Sequence, residues 1–193
     1  MSQLGFHIDT SACINCKACE MACKDINNLP VGIKIRRVRE YNSGGWIEKS
    51  GYLVPDKVTQ YFVSASCMHC ADPACLPACP QEAIYKRDSD GVVIIDQAKC
   101  DGCGVCREVC PYQAPSTVDA ASGKVFKCDL CAGELDQGRN PACVGACLQR
   151  CLQYGDVAEL RKQYGTLDAI EPLPDGDTQP SYVITPHKYA VKK

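Results

Sequence analysis

Cysteine is the residue type that carries chemistry in this chain, and its spacing points to one kind. Of 17 cysteines in 193 residues, all but Cys151 fall into four groups of four. Cys13, Cys16, Cys19 and Cys23 share the spacing C-x2-C-x2-C-x3-C with Cys100, Cys103, Cys106 and Cys110. Cys67, Cys70, Cys75 and Cys79 carry two extra residues before the third cysteine, and Cys128, Cys131, Cys143 and Cys147 have an eleven-residue insert in the middle. Three thiolates in one loop reach three corners of an iron-sulfur cube, while a fourth, one helical turn on, points elsewhere and ligates the other cube of a pair. Four groups therefore imply four [4Fe-4S] clusters.

Other uses of so many cysteines fit less well. A disulfide scaffold suits a short secreted chain with paired cysteines, whereas this count is odd and no secretory leader precedes the first group. Structural zinc is closed by paired C-x2-C units, and a third cysteine two residues on, then a fourth after three more, is surplus to that need. Cys79-Pro80 and Cys110-Pro111 also supply the trailing proline of the bacterial ferredoxin run. No nucleophilic triad, Gly-rich phosphate loop or carboxylate cluster with ligand spacing is present. The histidines are His7, His69 and His187. His69 sits inside a cysteine loop, where it is either a hydrogen-bond donor to cluster sulfur or a satisfied or solvent-facing imidazole; the second reading is favoured. The chemistry implied is movement of single electrons, without a catalytic residue of the chain's own.

Composition agrees with this. The 46% apolar content includes the cysteines, so the aliphatic and aromatic core is thin and clusters must replace part of it. Each oxidised all-cysteine cube carries about −2, so four add about −8 to a polypeptide whose own net charge is −2. Lys17, Lys24, Lys99, Arg107 and Lys127 stand beside ligand positions and are candidates to offset that charge or are plain solvated groups. Nothing marks a nucleic-acid binder. No stretch is long and apolar enough to span a bilayer, and Arg36-Arg37 lies after the first motif with no hydrophobic run following, unlike a twin-arginine leader. The expectation is assembly in the reducing cytoplasm, with no export signal of its own; the finished protein could be membrane-associated or exported only by way of a signal-bearing partner.

The elements that must position the cysteines repeat. Ile8-Asp9 precedes Cys13 at the offset at which Ile95-Asp96 precedes Cys100, and Asp90-Gly91 turns the chain into a buried strand at residues 92–95. Ala83-Ile84 follows Cys79, Ala114-Pro115 follows Cys110 and Cys151-Leu152 follows Cys147, each four to five residues on. This reads as an α+β fold of two nested ferredoxin-like dicluster units. Residues 1–32 and 120–159 form the outer unit and residues 61–119 the inner one. Residues 33–60 are an inserted hairpin: residues 33–41 alternate apolar and charged, Asn42-Ser43-Gly44-Gly45 breaks the alternation as a glycine turn, and Trp46-Ile47 resumes it. It is either a plain solvent-facing hairpin or a docking element for a larger subunit. Residues 160–193, with four prolines and almost no periodicity, read as an extended C-terminal arm, disordered or laid along a partner. Tyr182, Val183, Ile184 and Tyr189 favour the partner.

The four groups in this order, together with Phe6-His7-Ile8-Asp9, Ser66-Cys67-Met68-His69-Cys70, Asp72-Pro73-Ala74-Cys75 and Lys127-Cys128-Asp129 before Cys131, resemble the iron-sulfur subunit of dimethyl sulfoxide reductase. The likeness covers nearly the whole chain, including Pro172-Leu173-Pro174. It implies a four-cluster electron-transfer subunit of an anaerobic respiratory oxidoreductase. It also implies a large catalytic partner that holds molybdopterin, and often a quinol-oxidising membrane anchor; a free-standing polyferredoxin carrier is the alternative. Position by position, the resemblance gives Cys13, Cys16 and Cys19 one cluster with Cys147, and Cys128, Cys131 and Cys143 one with Cys23. It gives Cys67, Cys70 and Cys75 one with Cys110, and Cys100, Cys103 and Cys106 one with Cys79. Some relatives replace one ligand of the third group and alter that cluster; Cys103 is present here, which implies four [4Fe-4S] clusters. Leu148 stands where the family usually has proline.

Overall fold

The computed structural model describes residues 2–191 and is a mixed α and β structure of short elements wrapped around the cysteine loops. β1 (Leu4–Asp9) leads into the first cysteine group, and α1 (Ala18–Ile26) carries Cys19 and Cys23 one turn apart on its buried face. β2 (Arg37–Lys49) and β3 (Tyr52–Ala65) form a long antiparallel ribbon that delivers the chain to the second group. β4 (Ile84–Lys86) follows that group and β5 (Val93–Ile95) precedes the third, whose last turn is α2 (Val105–Glu108). In the fourth group Cys128 and Cys131 precede α3 (Ala132–Leu135), Cys143 lies in α4 (Ala142–Gly145) and Cys147 follows it. β6 (Leu152–Asp156), α5 (Val157–Tyr164) and β7 (Tyr182–Thr185) complete the chain.

The strand pairs repeat one pattern. β1, before the first group, pairs antiparallel with β6, after the last, with Ile8 opposite Leu152. β5, before the third group, pairs antiparallel with β4, after the second, with Ile95 opposite Ile84. One backbone bond recurs at the same place: Asp9 N–H donates to Cys151 O at 2.8 Å, and Asp96 N–H to Ala83 O at 2.7 Å. Each short pair so clamps the start of one cysteine loop to the end of another, which fixes both loops about one site.

Local backbone chemistry sets where the short helices begin. The residues before α1, α2 and α3 are left-handed, Lys17 at φ 59°, Gly104 at φ 82° and Cys131 at φ 53°, and glycine takes this region without the Cβ penalty. α5 begins conventionally, with the Asp156 carboxylate accepting from the N–H groups of Ala158 and Glu159. The main core joins Phe6 and Ile8 of β1, Tyr61 and Val63 of β3, and Leu130, Ile170, Leu173, Tyr182 and Ile184 to buried residues of the cysteine loops, Cys19, Cys67, Cys128, Cys143 and Cys147 among them.

Three expectations are corrected. The glycine pair is not the hairpin turn: β2 runs through Asn42–Gly45 with a bulge between Ser43 and Gly45, and the chain reverses at Ser50-Gly51, where both residues have positive φ. Gly44 is needed because its backbone, at φ +85°, passes so close to Lys57 that a Cβ would fall 2.3 Å from the Lys57 carbonyl oxygen. The regular strand also starts later, at Arg37; Ile33, Ile35 and Arg36 are all buried in irregular backbone. Finally, residues 160–191 are not an arm. β7 adds to β1 in parallel, giving the sheet order β6-β1-β7, and Ile170, Leu173, Tyr182, Val183 and Ile184 are buried in the chain's own core. The prolines prevent helical periodicity but not burial, because the segment's apolar residues dock onto a sheet edge that the rest of the chain leaves open. Lys192 and Lys193 lie outside the described residues.

Candidate iron-sulfur sites

Three sites are each lined by thiols drawn from two groups. Cys67, Cys70, Cys75 and Cys110 line one, with Met68, Val93 and Tyr112. Cys13, Cys16, Cys19 and Cys147, with Cys151 beside them, line a second, with Ile8, Val38 and Leu152. Cys79, Cys100, Cys103 and Cys106 line a third against Ile84, Ile95 and Val125. In each, three cysteines come from one loop and the fourth from the end of another. Cys23, Cys128, Cys131 and Cys143 lie close enough to perturb one another. Burial pushes the Cys23 thiol up to about 12, with Arg36 opposing and the nearby Cys143 and Cys131 adding to it; burial pushes Cys128 well up, reinforced by Cys23 and Cys143. Burial likewise raises Cys131 to about 11, with Cys143 contributing.

The donor chemistry fits a cationic multinuclear core. Burial, with the repulsion of neighbouring sulfurs, raises Cys75 to about 12 and Cys106 to about 11, so four thiolates together in one such site need positive metal among them. All-sulfur sets are the soft ligands of iron-sulfur clusters and of zinc, and three cysteines from one loop with a fourth from another is the arrangement of paired ferredoxin clusters.

Hydrogen bonds reach one sulfur or more of every set. Thr178 Oγ1 lies 3.1 Å from Cys70 Sγ, and Ser64 Oγ 3.3 Å from Cys19 Sγ. Ala83 N–H donates to Cys79 Sγ at 3.3 Å and Leu130 N–H to Cys128 Sγ at 3.4 Å. Donors of this kind stabilise charge on sulfur and so tune reduction potential. The third loop also demands glycine: Gly102 has φ +78°, and a Cβ there would lie 2.0 Å from the Gly123 carbonyl oxygen.

A match to the family described as "4Fe-4S dicluster domain" covers residues 58–157. Over 191 residues the protein is 44% identical to the B subunit of the anaerobic dimethyl sulfoxide reductase of Haemophilus influenzae, an alignment that spans 98% of this protein and 92% of that one. It is 43% identical over 187 residues to the corresponding subunit of Escherichia coli, spanning 96% and 90%. The chain belongs to the dimethyl sulfoxide reductase iron-sulfur subunit family. The formate dehydrogenase iron-sulfur subunit of Wolinella succinogenes is a more distant relative of this iron-sulfur subunit, 34% identical over 176 residues and spanning 80% of this protein and 82% of that one.

Several residues of these sites escaped the sequence reading. Of the cations named beside the ligands, Lys127 is buried, donating to the carbonyl oxygens of Val93 and Cys128, while Lys24 donates to Leu29 and Pro30 and Arg107 to Gln113 and Pro115. The most deeply buried cation of the iron-sulfur subunit is Arg36, 1% exposed, which the alternation places on a solvent-facing ribbon. His69 is neither solvent-facing nor fully satisfied. It is wholly buried, its Nδ1 accepts from Val93 N–H at 3.1 Å, and Nε2, which therefore carries the proton, has no protein partner. Burial, with Lys127 and Arg36 nearby, drives its pKa well down and keeps the ring neutral. Cys151 occupies the small slot that the repeat gives it, yet its sulfur also lines the first-group cavity, 3.5 Å from Cys147 Sγ. Its hydrogen bond lowers the Cys13 pKa, and the same bond, with burial and Cys147, raises its own.

Proposed function

We propose that the protein relays single electrons through four [4Fe-4S] clusters between a donor and a molybdopterin-containing catalytic subunit of the dimethyl sulfoxide reductase type. Such clusters supply one-electron redox chemistry; the chain supplies thiolates, apolar walls and hydrogen bonds that set their potentials. The proposed ligand sets are Cys13, Cys16, Cys19 and Cys147; Cys128, Cys131, Cys143 and Cys23; Cys67, Cys70, Cys75 and Cys110; and Cys100, Cys103, Cys106 and Cys79. The observation that carries this is the gathering of thiols from paired loops around cavities bounded by equivalent strand pairs. In this reading residues 61–119 are an inner ferredoxin-like unit nested in an outer one of residues 1–32 and 120–159, and residues 160–191 extend the outer unit. Among the described residues no helix is long and apolar enough to cross a membrane. Assembly in the reducing cytoplasm is part of the proposal, since it keeps thiols available for cluster insertion.

The distal half of the ribbon supports a docking role toward the catalytic subunit. Trp46, Ile47, Tyr52 and Leu53 are all exposed there. Anaerobic size-exclusion of the native protein tests the reading. Elution with a much larger, molybdenum-containing polypeptide, and loss of that co-elution when Trp46 and Leu53 are both changed to serine, is the expected result. Elution of the wild-type chain alone, with its clusters intact, would make it a free carrier instead.

A further inference from the structure

Arg36 is a charged side chain with no access to water, held among sulfurs. It is 1% exposed, its Nη1 donates to Ser64 Oγ at 3.1 Å and its Nη2 to Ser66 Oγ at 2.9 Å. Its guanidinium carbon sits 4.3 Å from the centre of the Phe6 ring, and Nε is buried with no protein partner. An isolated buried cation is strongly unfavourable, so something nearby must bear the opposite charge. No salt bridge to a carboxylate is formed by Arg36 among the described residues.

The available negative charge is sulfur. Ser64 Oγ accepts from Arg36 and lies 3.3 Å from Cys19 Sγ, so its own hydroxyl hydrogen is free to point at that sulfur. Ser66 is the residue before Cys67. Burial opposes the cation, but Cys143, Cys128, Tyr182 and Cys23 more than offset it, and the guanidinium opposes the rise that burial gives Cys19, Cys23, Cys128 and Cys131. Arg36 therefore lies within electrostatic range of the Cys23-Cys128-Cys131-Cys143 set and reaches Cys19 of a second set through the Ser64 hydroxyl.

Resting on the ligand sets proposed above, we propose that Arg36 is a positioning residue for electron flow: a fixed internal counter-charge between the Cys13-Cys16-Cys19-Cys147 and Cys23-Cys128-Cys131-Cys143 clusters that raises the reduction potential of both. Reduction adds one negative charge to a cluster, and a permanent cation beside it, in a poorly polarisable interior, favours the reduced form. Of the inner sets, the Cys67-Cys70-Cys75-Cys110 one is approached only through Ser66 Oγ, which bonds the Cys67 carbonyl oxygen and no sulfur, and among the described residues the Cys79-Cys100-Cys103-Cys106 one has no hydrogen bond to Arg36, so neither should shift by the same amount.

The test is a potentiometric titration of the anaerobically purified complex, followed by the paramagnetic signals of the reduced clusters, for the wild type, R36M, R36K and S64A. In R36M with full iron, two of the four midpoint potentials should fall by about tenfold or more in the redox equilibrium, 59 mV for a one-electron couple, and the other two should hold. R36K should bring both back toward wild type. Four unmoved potentials, or four that fall together, overturn the proposal. Should R36M fail to assemble, S64A decides: removal of the hydroxyl should lower one potential alone, and no movement overturns the proposal. A wild-type chain with fewer than about 16 irons contradicts the ligand sets rather than the role of Arg36.

Discussion

Deleting residues 166–193 should destroy the fold and not merely weaken a complex. The segment carries Ile170, Leu173, Val183 and Ile184, none more than 1% exposed. At about 1.5–3 kcal/mol for each fully buried aliphatic side chain, these four contribute roughly 6–12 kcal/mol, an upper figure because the unfolded chain is itself partly compact. Tyr182, wholly buried, adds to that, and its hydroxyl donates to the Ser64 carbonyl beside Cys19. The sum matches the whole stability of an ordinary domain, about 5–15 kcal/mol. The deletion also strips β7 from β1, exposing Phe6 and Ile8, and removes Thr178 from Cys70. Iron per chain and resistance to proteolysis are the assays. The truncated chain should lose both, and I184A, which leaves the strand in place, should be destabilised by about 2–5 kcal/mol while retaining iron. A truncated chain with full iron and unchanged protease resistance would refute the reasoning and restore the segment to the status of an arm.

Two substitutions probe the sites themselves. C147A should lose or convert one cluster, whereas C151A should keep all four reduced-state paramagnetic signals; the reverse outcome, read by paramagnetic resonance, would put Cys151 in the ligand set. G102A should disturb the third-group loop, since both the positive φ and the Gly123 carbonyl exclude a Cβ. Its signature is loss of the signal from the Cys79-Cys100-Cys103-Cys106 cluster with the other three present; four intact signals would show that the loop can yield.

How much of this was legible depended on whether a residue's role was local. The strand before Cys100 and the small residues after Cys79 and Cys147 were readable, because a β pair and a cysteine loop repeat as one unit at fixed offsets. The cavities assemble cysteines far apart in the chain, and only the fourth-cysteine rule of ferredoxin loops indicated that groups share sites. Alternation failed at residues 33–36 because the chain is not yet pleated there; Ile35 and Arg36, adjacent, are both buried, which no strand facing solvent on one side permits. Gly44-Gly45 has the composition of a turn, and the bulge that uses it differs only in where the partner strand passes. The C-terminal segment was misread because composition reports what a segment does alone, whereas β7 is stabilised by an edge of β1 that its own sequence does not encode. Ser64 and Thr178 carry no motif at all, and their role comes only from the sulfur each one meets.

The central claim is that sixteen of these cysteines hold four cubes. Iron and acid-labile sulfide, measured together on the anaerobically purified native protein, test it most directly. About 16 of each per chain, as four [4Fe-4S] clusters require, is the expected result; about half that number, or zinc in place of iron with no labile sulfide, would contradict it.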